Sequence, residues 1–268
     1  MDRRQVRRGT PSLFAVPWGQ ESSREVTVAR PRSADATEGS GRRGPEGSTG
    51  RIAVIVDEVG ARLDVFEQVM ALGRPLSVAV LPELPLSRRI AREALRAGLE
   101  VLLQLPLEPY RFPEVDPGPG VLLLSMSPAE VTRRTRQHLA SLPGIAGVST
   151  HMGSRFTEDR ARMRALLGAV QGEGRFFVDG LTTHRSVGYD LARALGLPAA
   201  RRQVLLDPEE SEATARTRLL DVERWAERRG SVIAIGHGRL LTVRLLAEAV
   251  SRWEARGLRL VPVSRLVD

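Results

Sequence analysis

Apolar residues along this chain gather into short unbroken runs instead of alternating with polar ones. The runs are Ile52–Val56, Leu76–Leu81, Val101–Leu105, Ile145–Ser149, Phe176–Val178, Val204–Leu206, Val232–Ile235 and Leu258–Val263, and each gives way to a polar or turn residue. Strands apolar on both faces belong to a parallel sheet covered on both sides. Between the runs lie amphipathic stretches with helix punctuation. Ser127-Pro128-Ala129-Glu130 predicts a capping box with proline at the first helical position. Thr157 predicts an N-cap followed by the acids Glu158 and Asp159. Glycines such as Gly98, Gly196 and Gly230 predict helix stops. The helix over Thr132–Leu139 carries His138, which the pattern assigns to the surface.

Eight strand–helix repeats imply right-handed crossovers, and closing the sheet into a barrel removes its exposed edges. An open doubly wound sheet is the alternative. Such a sheet usually has a glycine-rich phosphate loop after its first strand, and Asp57-Glu58-Val59-Gly60 is not one. The same absence argues against a phosphate-handling barrel. The predicted fold is therefore α/β: a single β/α barrel of seven or eight strands, related to the TIM barrel, over residues 50–268. Residues 1–49 are rich in Arg, Gly, Ser, Glu and Pro and lack periodicity, so a disordered or loosely ordered tail is expected there.

Composition narrows the partners. At 268 residues, the length suits one such barrel or two small domains. With 0 cysteines, disulfides and thiolate metal sites are excluded. The net charge of +8 comes from arginine alone, since the chain has no lysine. Those arginines are interleaved with acids, and no basic stripe with aromatics appears, so no nucleic-acid partner is expected. No stretch approaches the ~20 apolar residues that cross a bilayer. The apolar run Leu13–Trp18 is short and broken by Pro17, so no signal peptide is visible.

In a β/α barrel the chemistry sits at the carboxyl ends of the strands. Those positions hold Asp57 and Glu58, Glu83, Gln104 and Glu108, His151, Asp179, Asp207 and His237. Loop solvation alone does not explain why Asp, Glu and His recur there. Converging carboxylates and imidazoles are what a hydrolytic divalent-metal site needs. Asp179 and Asp207 suit helix caps equally well, and His184 sits in a loop without an evident role.

The segments VIVDEVG, VLLQLPLEP, a GPG loop, GVSTHMGSRFT, RFFVDGLTTHRSVG, RQVLLD and AIGHGR follow one another in the order found in divergent polysaccharide deacetylases. The chain resembles that family from residue ~51 to its end. The resemblance implies a deacetylase-like barrel, a glycan substrate, hydrolysis of an acetyl group, a divalent metal (zinc foremost) and usually an extracytoplasmic setting. Carried over, it implies Asp57, Asp179 and His237 as catalytic residues and Glu58, His151 and Asp207 as metal ligands. Gln104, Glu108, Ser154 and Arg155 would line the substrate cleft. The sequence also departs from the pattern. Gln104 stands where the family typically has a histidine, Glu58 where it has a second aspartate, and Ser149 and Thr150 replace two asparagines. Gly180 and Leu181 stand where a serine and a basic residue are expected. An amide is a poorer zinc ligand than imidazole, so metal binding is expected to be weakened or lost. The alternative function is a catalytically impaired member that binds glycan or a protein through the same cleft.

Overall fold

The structure is a computed structural model that describes residues 50–268; the expected tail over 1–49 lies outside the described residues. The apolar runs become strands and the stretches between them helices. In order these are β1 (Arg51–Val59), α1 (Leu63–Ala71), β2 (Ser77–Val80), α2 (Ser87–Arg96), β3 (Glu100–Leu107), α3 (Pro128–Ser141) and β4 (Gly147–Met152). Then follow α4 (Arg160–Gly172), β5 (Phe176–Asp179), α5 (Gly188–Ala194), β6 (Ala199–Arg201), β7 (Val204–Leu205), α6 (Glu212–Arg229), β8 (Ser231–His237), α7 (Leu240–Ala255) and β9 (Arg259–Leu260).

All ladders are parallel, and the hydrogen-bonded order is β6-β5-β4-β3-β2-β1-β8-β7. The two ends of this curled sheet are consecutive in the chain, separated only by Arg202 and Gln203. Arg202 N donates to Asp179 O at 3.0 Å and Gln203 N to Ile233 O at 2.9 Å. One extended segment thus pairs first with β5 and then with β8, and the wall is joined there by the chain itself instead of by a ladder.

Two strand expectations change. The run Val204–Leu206 is preceded by an unpredicted strand, β6, which pairs with β5 and whose two alanines carry little strand signal. The expected strand Leu258–Val263 pairs over only two residues, Arg259 and Leu260, with the start of β1. Pro262 cannot donate to a ladder, and a 3-10 turn over Val263–Leu266 follows. Val263 N instead donates to Ser77 Oγ at 3.0 Å, which draws the C-terminal segment under the barrel.

Alternation along each strand feeds two cores. On β1, Ile52, Val54 and Val56 face the helices, whereas Ala53 and Ile55 face the lumen. The lumen is filled by Ala53, Ile55, Ala79, Leu102, Val178, Ile233 and Ile235, with Val263 closing its base. Small and branched side chains suit that confined space.

Helix punctuation is mostly as predicted. Ser127 Oγ accepts from Glu130 N at 3.2 Å, and Gly230 ends α6 in the left-handed region. The cap of α4 is Asp159 and not Thr157: Asp159 Oδ1 accepts from Arg162 N at 2.8 Å. Thr157 lies in a 3-10 turn, where its hydroxyl donates to Gly153 O. His138 is buried, contrary to the surface assignment, because the long β3–α3 connection folds over α3 and brings Gly120 O to 2.9 Å from its Nε2. Among the described residues no helix is long and apolar enough to cross a membrane.

Candidate active site

The lumen rows that carry Ala53 and Ile55, Leu102, and Ile233 and Ile235 continue upward as polar residues. Two residues past Ile55 comes Asp57, two past Leu102 comes Gln104, and two past Ile235 comes His237. The register sets Asp57 beside His237 and Gln104 beside Ser149, with His151 two residues further along β4. Strand periodicity alone therefore delivers four polar side chains from four strands to one mouth.

A fifth arrives by breaking the period. The β1–β2 register shifts between Val56 and Val59, and Glu58 occupies the left-handed region at φ 56°. A bulge of this kind re-aims a side chain, so two consecutive carboxylates, Asp57 and Glu58, face the same cleft. A non-glycine residue held there costs on the order of 1–3 kcal/mol and needs local restraint. Gln104 supplies it: its Oε1 accepts from Glu58 N at 2.7 Å.

That one bond orients the rest of the network. Since a main-chain N–H can only donate, the oxygen of Gln104 faces Glu58 and its NH2 faces Asp57 Oδ2 at 3.1 Å and His151 Nδ1 at 3.3 Å. His151 Nδ1 is then the acceptor, and its proton resides on Nε2. That Nε2 is buried without a partner, as are Asp57 Oδ1 and Ser149 Oγ. Buried polar atoms without partners are rare and call for a physical reason.

On the opposite wall, His237 Nδ1 donates to Asp207 Oδ1 at 2.9 Å. Asp207 also accepts from His237 N and from the Thr242 hydroxyl, so all of its capacity is directed behind the imidazole. This leaves His237 Nε2 turned toward Glu58 Oε1, 3.6 Å away, while His151 Nδ1 lies 3.7 Å from the same oxygen. The cavity between these groups holds about 30 Å³ and is also bordered by Arg202 and Thr150. That is room for a water or a small ion.

The electrostatics separate the groups. Burial pushes the Asp57 carboxyl up to about 7; nearby His237 opposes the shift and Glu58 adds to it. For His237 burial opposes protonation, but Glu58, Asp207 and Asp57 together outweigh it and raise its value to about 10. His151 is lowered by burial, which keeps it neutral. Burial would raise Asp207, yet the charge and hydrogen bonds of His237 and the Thr242 hydroxyl hold it below the usual carboxylate range. Arg202, brought down to about 10 by burial, donates Nε to Gly180 O at 2.6 Å and Nη2 to Leu181 O at 2.9 Å.

Of the sequence-derived candidates, Asp57, Glu58, His151 and His237 border the cleft, and Gln104 ties three of them together. Asp207 stands directly behind His237. Asp179 faces elsewhere: Oδ2 accepts from Ser186 Oγ at 2.7 Å and Tyr189 N at 3.0 Å, bracing the start of α5. Glu108 accepts from Arg155 Nη1 at 2.9 Å and Leu124 N at 2.6 Å, and Ser154 Oγ accepts from Tyr110 N at 3.2 Å. These three residues staple the long β3–α3 connection to the β4–α4 loop and do not border the cavity. Glu83 faces His138, and His184 is exposed. Arg202 is the charged cleft residue that sequence reasoning missed; nothing in the sequence distinguishes it from the exposed arginines among the described residues.

Asp57, Glu58 and His237 each offer a ligand atom, all within 4.8 Å of one another. Two carboxylates and an imidazole held by a third carboxylate, Asp207, form a donor set suited to a divalent cation. The unpartnered Asp57 Oδ1 agrees with that use.

The family model for divergent polysaccharide deacetylases matches residues 54–267. The uncharacterized protein YibQ of Escherichia coli (strain K12) is 33% identical over 201 residues, which are 75% of this chain and 62% of that protein. An uncharacterized protein of Haemophilus influenzae is 31% identical over 196 residues, 73% of this chain and 69% of its own length. The chain thus spans about three fifths of the E. coli relative. The crystal structure of uncharacterized protein ATU2773 from Agrobacterium tumefaciens C58 superposes with a TM-score of 0.77 at 27% identity, covering 86% of this chain and 92% of that one. The motifs, the curled parallel barrel and the match over nearly all described residues agree: this chain belongs to the divergent polysaccharide deacetylase family.

Proposed function

We propose that the protein hydrolyses an acetyl group from a glycan with the aid of a divalent cation, zinc foremost. The observation that carries this reading is the pair of buried, unpartnered atoms Asp57 Oδ1 and His151 Nε2, which border one small cavity with Glu58 and His237. Glu58 and His237 would hold the cation, which leaves Asp57 Oδ1 beside it without a partner. Such an ion, when bound, polarises a carbonyl and makes water more acidic.

The side chains then divide the remaining work. Asp57 accepts the proton of the attacking water at its unpartnered Oδ1 and returns it to the departing nitrogen or oxygen. His151, kept in the Nε2–H tautomer by Gln104, donates that hydrogen to the carbonyl oxygen as charge develops there. Asp207 fixes the ring of His237 through Nδ1, which sets the direction of Nε2. In protein lacking the cation, His237 is protonated at neutral pH and is itself a proton donor facing the cleft.

Gln104 supports a second reading, a glycan- or protein-binding member without turnover. Its amide occupies the family's usual histidine position, and its bonds to Glu58 N, Asp57 and His151 satisfy groups that a ligand would otherwise engage. One experiment separates the two. Acetate release from chitooligosaccharides and acetylated peptidoglycan is assayed with zinc, manganese or chelator, alongside the metal content of the purified protein. Hydrolysis that is restored by metal and lost in His237→Ala supports the enzyme. Glycan binding without acetate release under any metal supports the binding module.

A further inference from the structure

The seam that joins the barrel wall is bridged at one level by a side chain. Gln203 Nε2 donates to Arg201 O at 2.7 Å, and its Oε1 accepts from Ile233 N at 2.7 Å. Below this amide no ladder joins β6 to β8 among the described residues, and a cavity of about 300 Å³ opens at the base of the seam. Two aromatic rings border it, Tyr189 and Trp225, and Trp225 is 40% exposed. A guanidinium lies over each ring: Arg201 is 5.2 Å from the Tyr189 centroid and Arg229 is 6.0 Å from that of Trp225. The third charged residue there is Asp268, whose main-chain O accepts from Ala199 N at 3.0 Å.

Opposite charges around this cavity do not pair. Elsewhere on the surface arginines close onto neighbouring acids, as Arg74 does with Glu254 at 2.7 Å and Arg216 with Glu212 at 2.8 Å. Arg201 and Arg229 form no ion pair with Asp268 or with any other carboxylate among the described residues. Donors and an acceptor therefore face one cavity with unspent hydrogen-bonding capacity, beside exposed ring surface. An anion there would meet the Asp268 carboxylate, and a cation would meet the two guanidiniums. A neutral sugar suits all three, because its hydroxyls donate to a carboxylate and accept from guanidinium N–H groups. Its slightly positive C–H face packs on the negative face of an aromatic ring. The cavity is at the small end of ligand sites, so one sugar unit of a longer chain fills it.

We propose that this cavity is a second glycan site, which holds an uncharged pyranose unit against Trp225 while the cleft engages another part of the polymer. Ser231 borders the cavity at the start of β8 and His237 ends that strand, so the two sites stand roughly 20 Å apart along it. The assignment rests on the glycan half of the reading above and not on hydrolysis.

The test is an NMR titration of the full chain with N-acetylchitotetraose and cellotetraose as neutral probes and tetragalacturonate as an acidic one. The Trp225 indole N–H signal locates binding. Affinity is read from the methyl signals of Leu266, which borders the cavity and remains in Trp225 variants. Both neutral probes should shift the Trp225 signal, in the parent and in His237→Ala alike. Trp225→Ala and Arg229→Gln should each weaken binding about tenfold, whereas Trp225→Tyr, which keeps a ring, should stay within about threefold of the parent. An unmoved Trp225 signal at millimolar concentrations of both neutral probes overturns the proposal. Tighter binding of tetragalacturonate does so too, since it marks an anion site, and so does loss of the shift in His237→Ala, which puts the binding in the cleft. Acetate release measured on the same samples keeps the two readings apart. Binding at Trp225 without release sustains this site and counts against hydrolysis; release with the Trp225 signal unmoved does the reverse.

Discussion

The two ends of one barrel lumen are built from the same rows of residues and have opposite character. At the base, Ala53, Ile233 and Val263 belong to one buried apolar cluster. At the mouth, the continuation of those rows is Asp57, Gln104, His151 and His237, buried as deeply but polar. Burial stabilises the base and costs free energy at the mouth, where charged groups lose water and some atoms find no partner. A single fold thus separates stability from chemistry along its axis, and substitutions at the two ends are expected to have effects of opposite sign.

The sharpest contrast comes from Asp57→Asn. Removing the proton acceptor should lower hydrolysis by about 10²–10⁴-fold. The same change should stabilise the cation-free protein above neutrality. The Asp57 carboxyl is raised from 3.8 to about 7, so its protonated form favours folding at low pH and that contribution is lost as pH rises toward 7. Above 7 the native state carries a disfavoured buried charge, and Asn relieves it by up to about 4 kcal/mol. Urea unfolding at pH 8 and pH 4 reads this directly; a variant less stable than the parent at pH 8 would contradict the account.

At the base, Ile233→Ala should cost about 2–5 kcal/mol, because a packed lumen collapses poorly around a lost side chain. Its effect on turnover, measured well below the melting temperature, should stay within a few-fold. A large loss of activity at full folding would show that the two ends are coupled.

Asp207→Asn lies between the two. Loss of the carboxylate behind His237 frees the ring tautomer, and activity or metal affinity should fall about 10–100-fold. Its pH signature is opposite to that of Asp57. Asp207 is depressed in the folded protein, so its contribution to stability is present above the ordinary carboxylate range and disappears as pH falls. The variant should lack that acid-dependent loss in denaturant titrations from about pH 5 down to about pH 2. The smallest effect belongs to the surface. Arg74 and Glu254 pair at 2.7 Å with both side chains 41% exposed, so Arg74→Ala should change stability by about 0.5 kcal/mol or less.

How much of this was legible varies by element. The seven wall positions and the start of α3 could be read from apolar runs and the Ser127 cap because those signals are local. β6 could not, since Ala199-Ala200-Arg201 becomes a strand only through β5 beside it. The C-terminal run was apolar enough for a full strand, but Pro262 and the Ser77 hydroxyl turned it into a plug. His138 looked exposed because the connection that covers it lies outside its own helix.

For the site, sequence alone determined which residue types end the strands, and the motif order determined the family. Period-2 alternation then required Asp57, Gln104 and His237 to share the lumen face of their neighbours. Only the tertiary structure decided which of the acidic candidates reach the cleft. Asp57 and Glu58 face it together because a bulge at φ 56° overrides alternation. Asp179 turns to α5 and Asp207 to His237, because nearby N–H and O–H donors claim their oxygens. A carboxylate at a strand end can serve a helix, a histidine or a ligand. The choice depends on which donors the fold brings within about 3 Å, a distance that residue order does not encode.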